Sequence, residues 1–161
     1  MARSYLVAVK RLKRTESWLH ELRNSTKSLT TLVYVKTRRS VDILDELLRN
    51  HHFSVIGLHS NKQQDQREEA IQSFKTGRTQ ILVSTIIAVR GRDLLNIQHI
   101  VNFDFPDNID VYRECIARVN RDSGQVTSFF NEQNWPIAGD LCKFLKQSYQ
   151  EVPQWLIDHK S

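Results

Sequence analysis

Five short apolar runs recur along the chain, and helical periodicity fills the gaps between them. The runs are Leu32–Val35, Ser54–Leu58, Ile81–Val83, Ile100–Phe103 and Val126–Phe130. Short runs of this kind, bounded by polar residues, predict strands buried on both faces. Between them, Ser40 to Arg49 carries Val41, Leu44, Leu47 and Leu48 on one helical stripe. Gln64 to Phe74 turns Ala70, Ile71 and Phe74 inward and closes at Gly77. Further helices are expected from Arg11 to Arg23 (with Leu12, Trp18, Leu19 and Leu22 apolar), Ile109 to about Asn120, and Ile137 to Gln147. Tyr5 to Val9 reads as an edge strand. Strands alternating with helices require a mainly parallel sheet with helices on both faces, an α/β architecture of three layers. Residues 1–161 read as a single domain, with a short docking tail over about 150–161 that carries Trp155 and Leu156.

Composition narrows the class. A chain of 161 residues with 40% hydrophobic and 25% charged residues has globular proportions and can bury a real core. The net charge of +5 permits a phosphate-rich partner without requiring one. Cys115 and Cys142 form neither a disulfide framework nor a Cys-x-x-Cys pair, which fits a reducing compartment. His51, His52 and His59 have no metal-site spacing, so no metal is expected. No signal peptide and no apolar run of membrane-spanning length is visible, so no membrane partner is expected.

The stretch from Gln80 to Asp93 carries the most chemistry. Its strand Ile81–Val83 turns through Ser84 and Thr85 into a brief helical patch ending at Gly91. Thr85, Arg90, Gly91 and Asp93 are thereby expected to cluster beyond the carboxyl end of a central strand, where open α/β sheets bind ligands. A hydroxyl suits a phosphate oxygen, a glycine permits close backbone approach, and a carboxylate suits a ribose hydroxyl. A strand, a turn and a surface salt bridge would use the same residues.

Thr85-x-x-Ala88-x-Arg90-Gly91-x-Asp93 resembles motif V of the DEAD-box RNA helicases, in their second RecA-like lobe, and the similarity over nearly the whole chain points to the Vasa-like branch. The resemblance implies a RecA-like sandwich. It extends to Thr37 and Arg38, which stand where motif IV meets the RNA backbone, and to Gln64 and Arg67, which match a Gln-x-x-Arg motif. His59-Ser60-Asn61 stands where the family has His-Gly-Asp, and Arg92 where it has leucine. Motif VI, His-Arg-Ile-Gly-Arg-Thr-Gly-Arg, falls on Glu114 to Arg121, and only Ile116, Arg118 and Arg121 survive. Arg118 and Arg121 match the arginine fingers that neutralise charge on the transferred phosphate. Both are expected on a solvated helix end, where substitution leaves the fold intact. Glu114 replaces the lobe-coupling histidine, and a carboxylate beside a triphosphate repels it.

These matches imply roles. Thr37, Arg38, Gln64, Arg67, Thr85 and Gly91 would face RNA, Asp93 with Arg118 and Arg121 would face ATP, and Arg90 with Glu114 would couple the lobes. The chain contains no phosphate loop and no Asp-Glu-Ala-Asp. ATP and Mg²⁺ would therefore be held mainly by a first lobe, with none bound by this chain alone, which by itself is expected to be inactive. Two functions follow from the resemblance. One is the second lobe of an ATP-dependent RNA helicase, acting on single-stranded or short duplex RNA. The other is a degenerate helicase-like domain that docks protein partners in an RNA-silencing or germ-granule assembly. Either implies a cytoplasmic setting, perinuclear or germ-granule in the second case.

Overall fold

In the computed structural model, residues 5–11, 15–25 and 29–159 are described. Leu12, expected on the first helix, and Thr26 to Ser28 of the loop after it lie outside those residues. Six strands, β1 (Leu6–Arg11), β2 (Thr31–Tyr34), β3 (Val55–Leu58), β4 (Ile81–Ser84), β5 (His99–Asn102) and β6 (Gln125–Phe130), form one sheet in the order β1-β6-β5-β2-β4-β3. Every pairing is parallel, including that of the edge strand β1 with β6. The fold is a RecA-like α/β sandwich, with five of its strands where the apolar runs predict them.

The helices are α1 (Thr15–Ser25), α2 (Arg38–Asn50), α3 (Gln64–Lys75), α4 (Ile86–Val89), α5 (Ile109–Ile116), α6 (Ala138–Gln147) and α7 (Gln154–His159). Their distribution follows from the handedness of parallel crossovers. The steps β1 to β2 and β2 to β3 run one way across the sheet, and the later steps run the other way. α1 and α2 therefore cover one face, and α3, α5, α6 and α7 the other. Side-chain alternation in β2 matches this division. Leu32 and Tyr34 pack with Ala70, Phe74, Tyr112 and Leu141. Val33 and Val35 pack with Trp18, Val41, Leu44 and Leu48.

Several helix boundaries differ from expectation. Arg11, expected to open the first helix, is the last residue of β1, and α1 begins at Thr15. α5 stops at Ile116, four residues before Asn120. There the backbone peels away to pair with the strand entry: Ile97 N donates to Arg118 O at 3.0 Å and Asn120 N to Ile97 O at 2.8 Å. The last long helix is preceded by a 3-10 turn, Glu132–Ile137, capped by Asn131. Gly77 ends α3 as expected, in the left-handed region at φ 81°.

The tail docks. Leu156 is fully buried, and the Trp155 ring lies 5.5 Å from that of Phe130. Gln150, just before it, serves the edge strand: its Oε1 accepts from Val7 N at 2.8 Å and its Nε2 donates to Tyr5 O at 3.1 Å. A side-chain amide thus satisfies backbone groups that a seventh strand would otherwise pair. Among the described residues no helix is long and apolar enough to cross a membrane.

Candidate nucleic-acid interface

Because β2, β4 and β3 are neighbours, the segments leaving their carboxyl ends lie side by side. Thr37 and Arg38 follow β2, Thr85 follows β4, and His59, Asn61, Gln64 and Arg67 follow β3. Three stretches separated by up to about fifty residues of chain therefore share one surface. Thr37 is the N-cap of α2: its Oγ1 accepts from Ser40 N at 3.0 Å, and its hydroxyl lies 2.9 Å from Ser40 Oγ. Arg38 and Arg39 then open the helix, whose first turn has no acid. Positive charge there opposes the helix dipole. The arrangement costs stability in isolation and favours an anion.

On α3, Gln64 Nε2 donates to Glu68 Oε1 at 2.8 Å, and Arg67 is half-buried. Thr85 is buried and caps α4, accepting from Ala88 N at 3.3 Å. The hydroxyls of Thr37 and Thr85 are thus engaged in capping, so the exposed polar chemistry of this surface lies chiefly in Arg38, Arg39, Asn61, Gln64 and Arg67.

The segment after α4 is held from three sides. Arg90 donates twice to Glu114, Nε to Oε2 at 2.6 Å and Nη2 to Oε1 at 2.9 Å. These bonds hold the Glu114 carboxyl below the usual carboxylate range and raise Arg90. Arg92 donates to Glu68, whose carboxyl is likewise lowered, first by that hydrogen bond. Beneath, Arg118 donates to three backbone carbonyls: Val89 at 2.6 Å, Arg92 at 2.9 Å and Leu94 at 3.1 Å. Gly91, at φ 73°, makes the turn that lets all three face it.

Two expectations change. Arg118 is half-buried and committed to this segment, so it is not a solvated helix-end arginine whose removal leaves the fold intact. The cluster of Thr85, Arg90, Gly91 and Asp93 also divides. Asp93 lies on the return toward the amino end of the sheet, 3.7 Å from Lys75 at the last turn of α3. It borders a hollow of about 420 Å³ that also includes Thr30, Phe74 and Leu94. Arg121 is exposed at that same end, its guanidinium 5.2 Å from the Tyr5 ring centroid. The RNA-facing and ATP-facing candidates therefore fall on different ends of the sheet. The reason is that α4 spans only four residues before the chain turns back.

Residues 13–123 match the helicase conserved C-terminal domain. The chain belongs to that family. Solved structures carry the likeness across most of its length. It superposes on the RNA helicase Prp28 of Chaetomium thermophilum, solved bound to ADP, with a TM-score of 0.82 and 27% identity, covering 97% of this chain and 40% of that one. A DEAD box protein of Methanococcus jannaschii gives a TM-score of 0.70 and 28% identity, over 94% of this chain and 41% of that one. Escherichia coli SrmB, solved bound to RraA, gives 0.69 and 27%, over 95% and 88%. The chain thus spans about two-fifths of the length of the Prp28 and M. jannaschii chains. It is a helicase C-terminal domain like those of DEAD-box RNA helicases.

Sequence reasoning passed over several contributors. Glu68 is visible only as a neighbour of Gln64, yet it anchors Arg92. Asp42 and His59 carry no motif signal as a pair, and the fold brings them to 3.0 Å. No sequence periodicity encodes such a contact between a helix and the end of a neighbouring strand. Among the described residues no group of three or more His, Cys, Asp or Glu side chains could hold a metal.

Proposed function

We propose that this domain is the second lobe of an ATP-dependent DEAD-box RNA helicase of the Vasa-like branch, gripping RNA through its sugar–phosphate backbone. The observation that carries this reading is the side-by-side placement of the segments after β2, β4 and β3, with Arg38, Arg39, Gln64 and Arg67 on one surface. Contacts to phosphates and sugars position a protein without reading sequence, so sequence preference should be weak. Thr85 and Gly91 support this surface, the first as a helix cap and the second as a turn.

At the other end of the sheet, Asp93 suits a ribose hydroxyl: its carboxylate is largely exposed, with Lys75 at 3.7 Å. Arg121 is exposed on that side, whereas Arg118 is not, and is the better candidate of the two to reach a terminal phosphate when a first lobe closes. Arg118 holds the Val89–Leu94 segment that lies between the two ends. ATP and Mg²⁺ would be held mainly by that first lobe, whose bound nucleotide supplies the hydrolysis chemistry. The Arg90–Glu114 pair joins the segment to α5 and is the candidate link between RNA grip and lobe closure.

The second reading, a helicase-like domain that docks proteins in a cytoplasmic or germ-granule RNA assembly, draws on the commitment of Arg118 and the closed Arg90–Glu114 pair. Binding of fluorescein-labelled single-stranded RNAs, measured by anisotropy across a potassium chloride series, separates the two. The lobe reading expects similar affinities for uridine-rich and mixed sequences of equal length, and a linear fall of log affinity with log salt. Absence of RNA binding at low salt would favour the docking module.

A further inference from the structure

Arg38 is the cation on the candidate RNA surface whose surroundings are most specifically arranged. Its Nη1 donates to Asn61 Oδ1 at 2.5 Å. Three other cations of the domain meet carboxylates instead: Lys36 pairs with Asp107 at 2.6 Å, Arg92 with Glu68, and Arg90 with Glu114. Arg38 alone among these four is oriented by a neutral amide, so its direction is set while its charge is kept.

The amide is itself placed. The backbone N–H of Asn61 donates to His59 Nδ1 at 3.2 Å. An N–H can only donate, so Nδ1 is the acceptor and the ring proton of the neutral imidazole sits on Nε2. Nε2 therefore donates to Asp42 Oδ1, at 3.0 Å. His59 is buried, which fixes the ring between its two partners.

Asp42 is one helical turn from Arg38, at the i,i+4 spacing where a carboxylate and a guanidinium on a helix surface attract each other. It is bound to His59 instead. The histidine thus does two things at once. It withdraws the acid that would cancel the charge of Arg38, and it seats the neutral acceptor that orients it.

We propose that Asp42, His59 and Asn61 form a positioning relay that keeps Arg38 oriented and unneutralised as a ligand for a backbone phosphodiester of RNA. His59, Asn61 and Asp42 touch no phosphate; they act through Arg38. This rests on the reading that the carboxyl-end surface binds RNA.

The test is salt-dependent anisotropy with a uridine oligomer on the whole chain, with a thermal melt of each variant as a fold control. Asn61→Asp turns the neutral acceptor into a charged one at the same place. It should weaken binding on the order of tenfold at low salt and shallow the salt slope by roughly one contact's worth. In an Arg38→Ala background the same change should have little effect, because the relay acts through Arg38. His59→Ala should also weaken binding, since Asp42 is then free to pair with Arg38, and Asp42→Asn should restore most of the loss in the His59→Ala protein. An equal effect of Asn61→Asp with and without Arg38, or no rescue by Asp42→Asn in a folded protein, overturns the relay. If the wild type binds no RNA, the surface reading fails and the relay with it. Wild-type binding that is indifferent to Asn61→Asp overturns the relay alone.

Discussion

The Glu114 carboxylate accepts two hydrogen bonds from the Arg90 guanidinium, at 2.6 and 2.9 Å, across the gap between α5 and the end of α4. The carboxylate that would repel a triphosphate from an isolated position is already partnered within the domain. Glu114→His therefore does more than remove a negative charge, because it leaves Arg90 without its acceptor. Hydrogen exchange should rise several-fold at the amides of Arg92 and Leu94, which bond to Val89 O and Arg92 O. Glu114→Gln, which keeps one acceptor, should give a smaller rise. Unchanged protection of both amides in Glu114→His would show that the pair does not hold the segment.

Arg118 and Arg121 should behave differently under substitution. Arg118→Ala removes a charged donor from three carbonyls, of which Val89 O and Arg92 O keep a backbone partner, and it should destabilise the domain by about 1.5–3 kcal/mol. Arg121→Ala removes an exposed side chain and should change stability by no more than about 0.5–1 kcal/mol. Urea unfolding of the two variants checks this. Equal and small losses would contradict the structural assignment of Arg118.

The contrast shows what the sequence could convey. Strand positions such as Leu32–Val35 and Ile81–Val83 are legible because burial on both faces writes itself into local composition. Gly77 is legible because a glycine C-cap is local chemistry, whereas the N-cap role of Thr37 emerges only with a helix that starts at Arg38, two residues before the expected Ser40. The strand order is not local, and it decides that the segments of Thr37, Thr85 and Gln64 share one surface. The fate of Arg118 was hidden for the same reason. Its three acceptors are backbone carbonyls 24 to 29 residues away, and any sequence offers carbonyls. Asp93 was misplaced beside Thr85 because eight residues of chain can either stay at one end of a sheet or cross to the other.

His99 gives the domain an acid sensitivity. Burial pushes its pKa down from 6.5 to about 4, with Lys10 adding to the effect, while Nε2 lies 3.0 Å from Thr127 Oγ1. The folded value lies below the unfolded one, so the unfolded chain takes up the proton first. Stability is whole above pH 6.5, declines as pH falls through the interval, and the loss is complete below about pH 4. The full loss is about 2–4 kcal/mol. Chemical unfolding at pH 7.5 and pH 5 should show a decline in the wild type that is much reduced in His99→Gln. Parallel declines in the two proteins would exclude His99 as the cause.

Gln150 should matter out of proportion to its type. Gln150→Ala leaves Val7 N and Tyr5 O without their buried amide partners and should cost about 1–3 kcal/mol. The loss should be accompanied by faster exchange at the Val7 amide. A surface-like effect below about 0.5 kcal/mol would mean that water replaces the side chain at that edge.

The central claim is that RNA lies across the carboxyl ends of β2, β4 and β3. Backbone amide shifts of the nitrogen-15-labelled chain, titrated with a uridine oligomer at low salt, test it most directly. The account predicts saturable changes at Thr37, Arg38, Asn61, Gln64, Arg67 and Thr85, with Asp93, Asn96 and Arg121 at the other end unchanged. Changes confined to the Asp93 end, or none in the segments after the three strands, would contradict it.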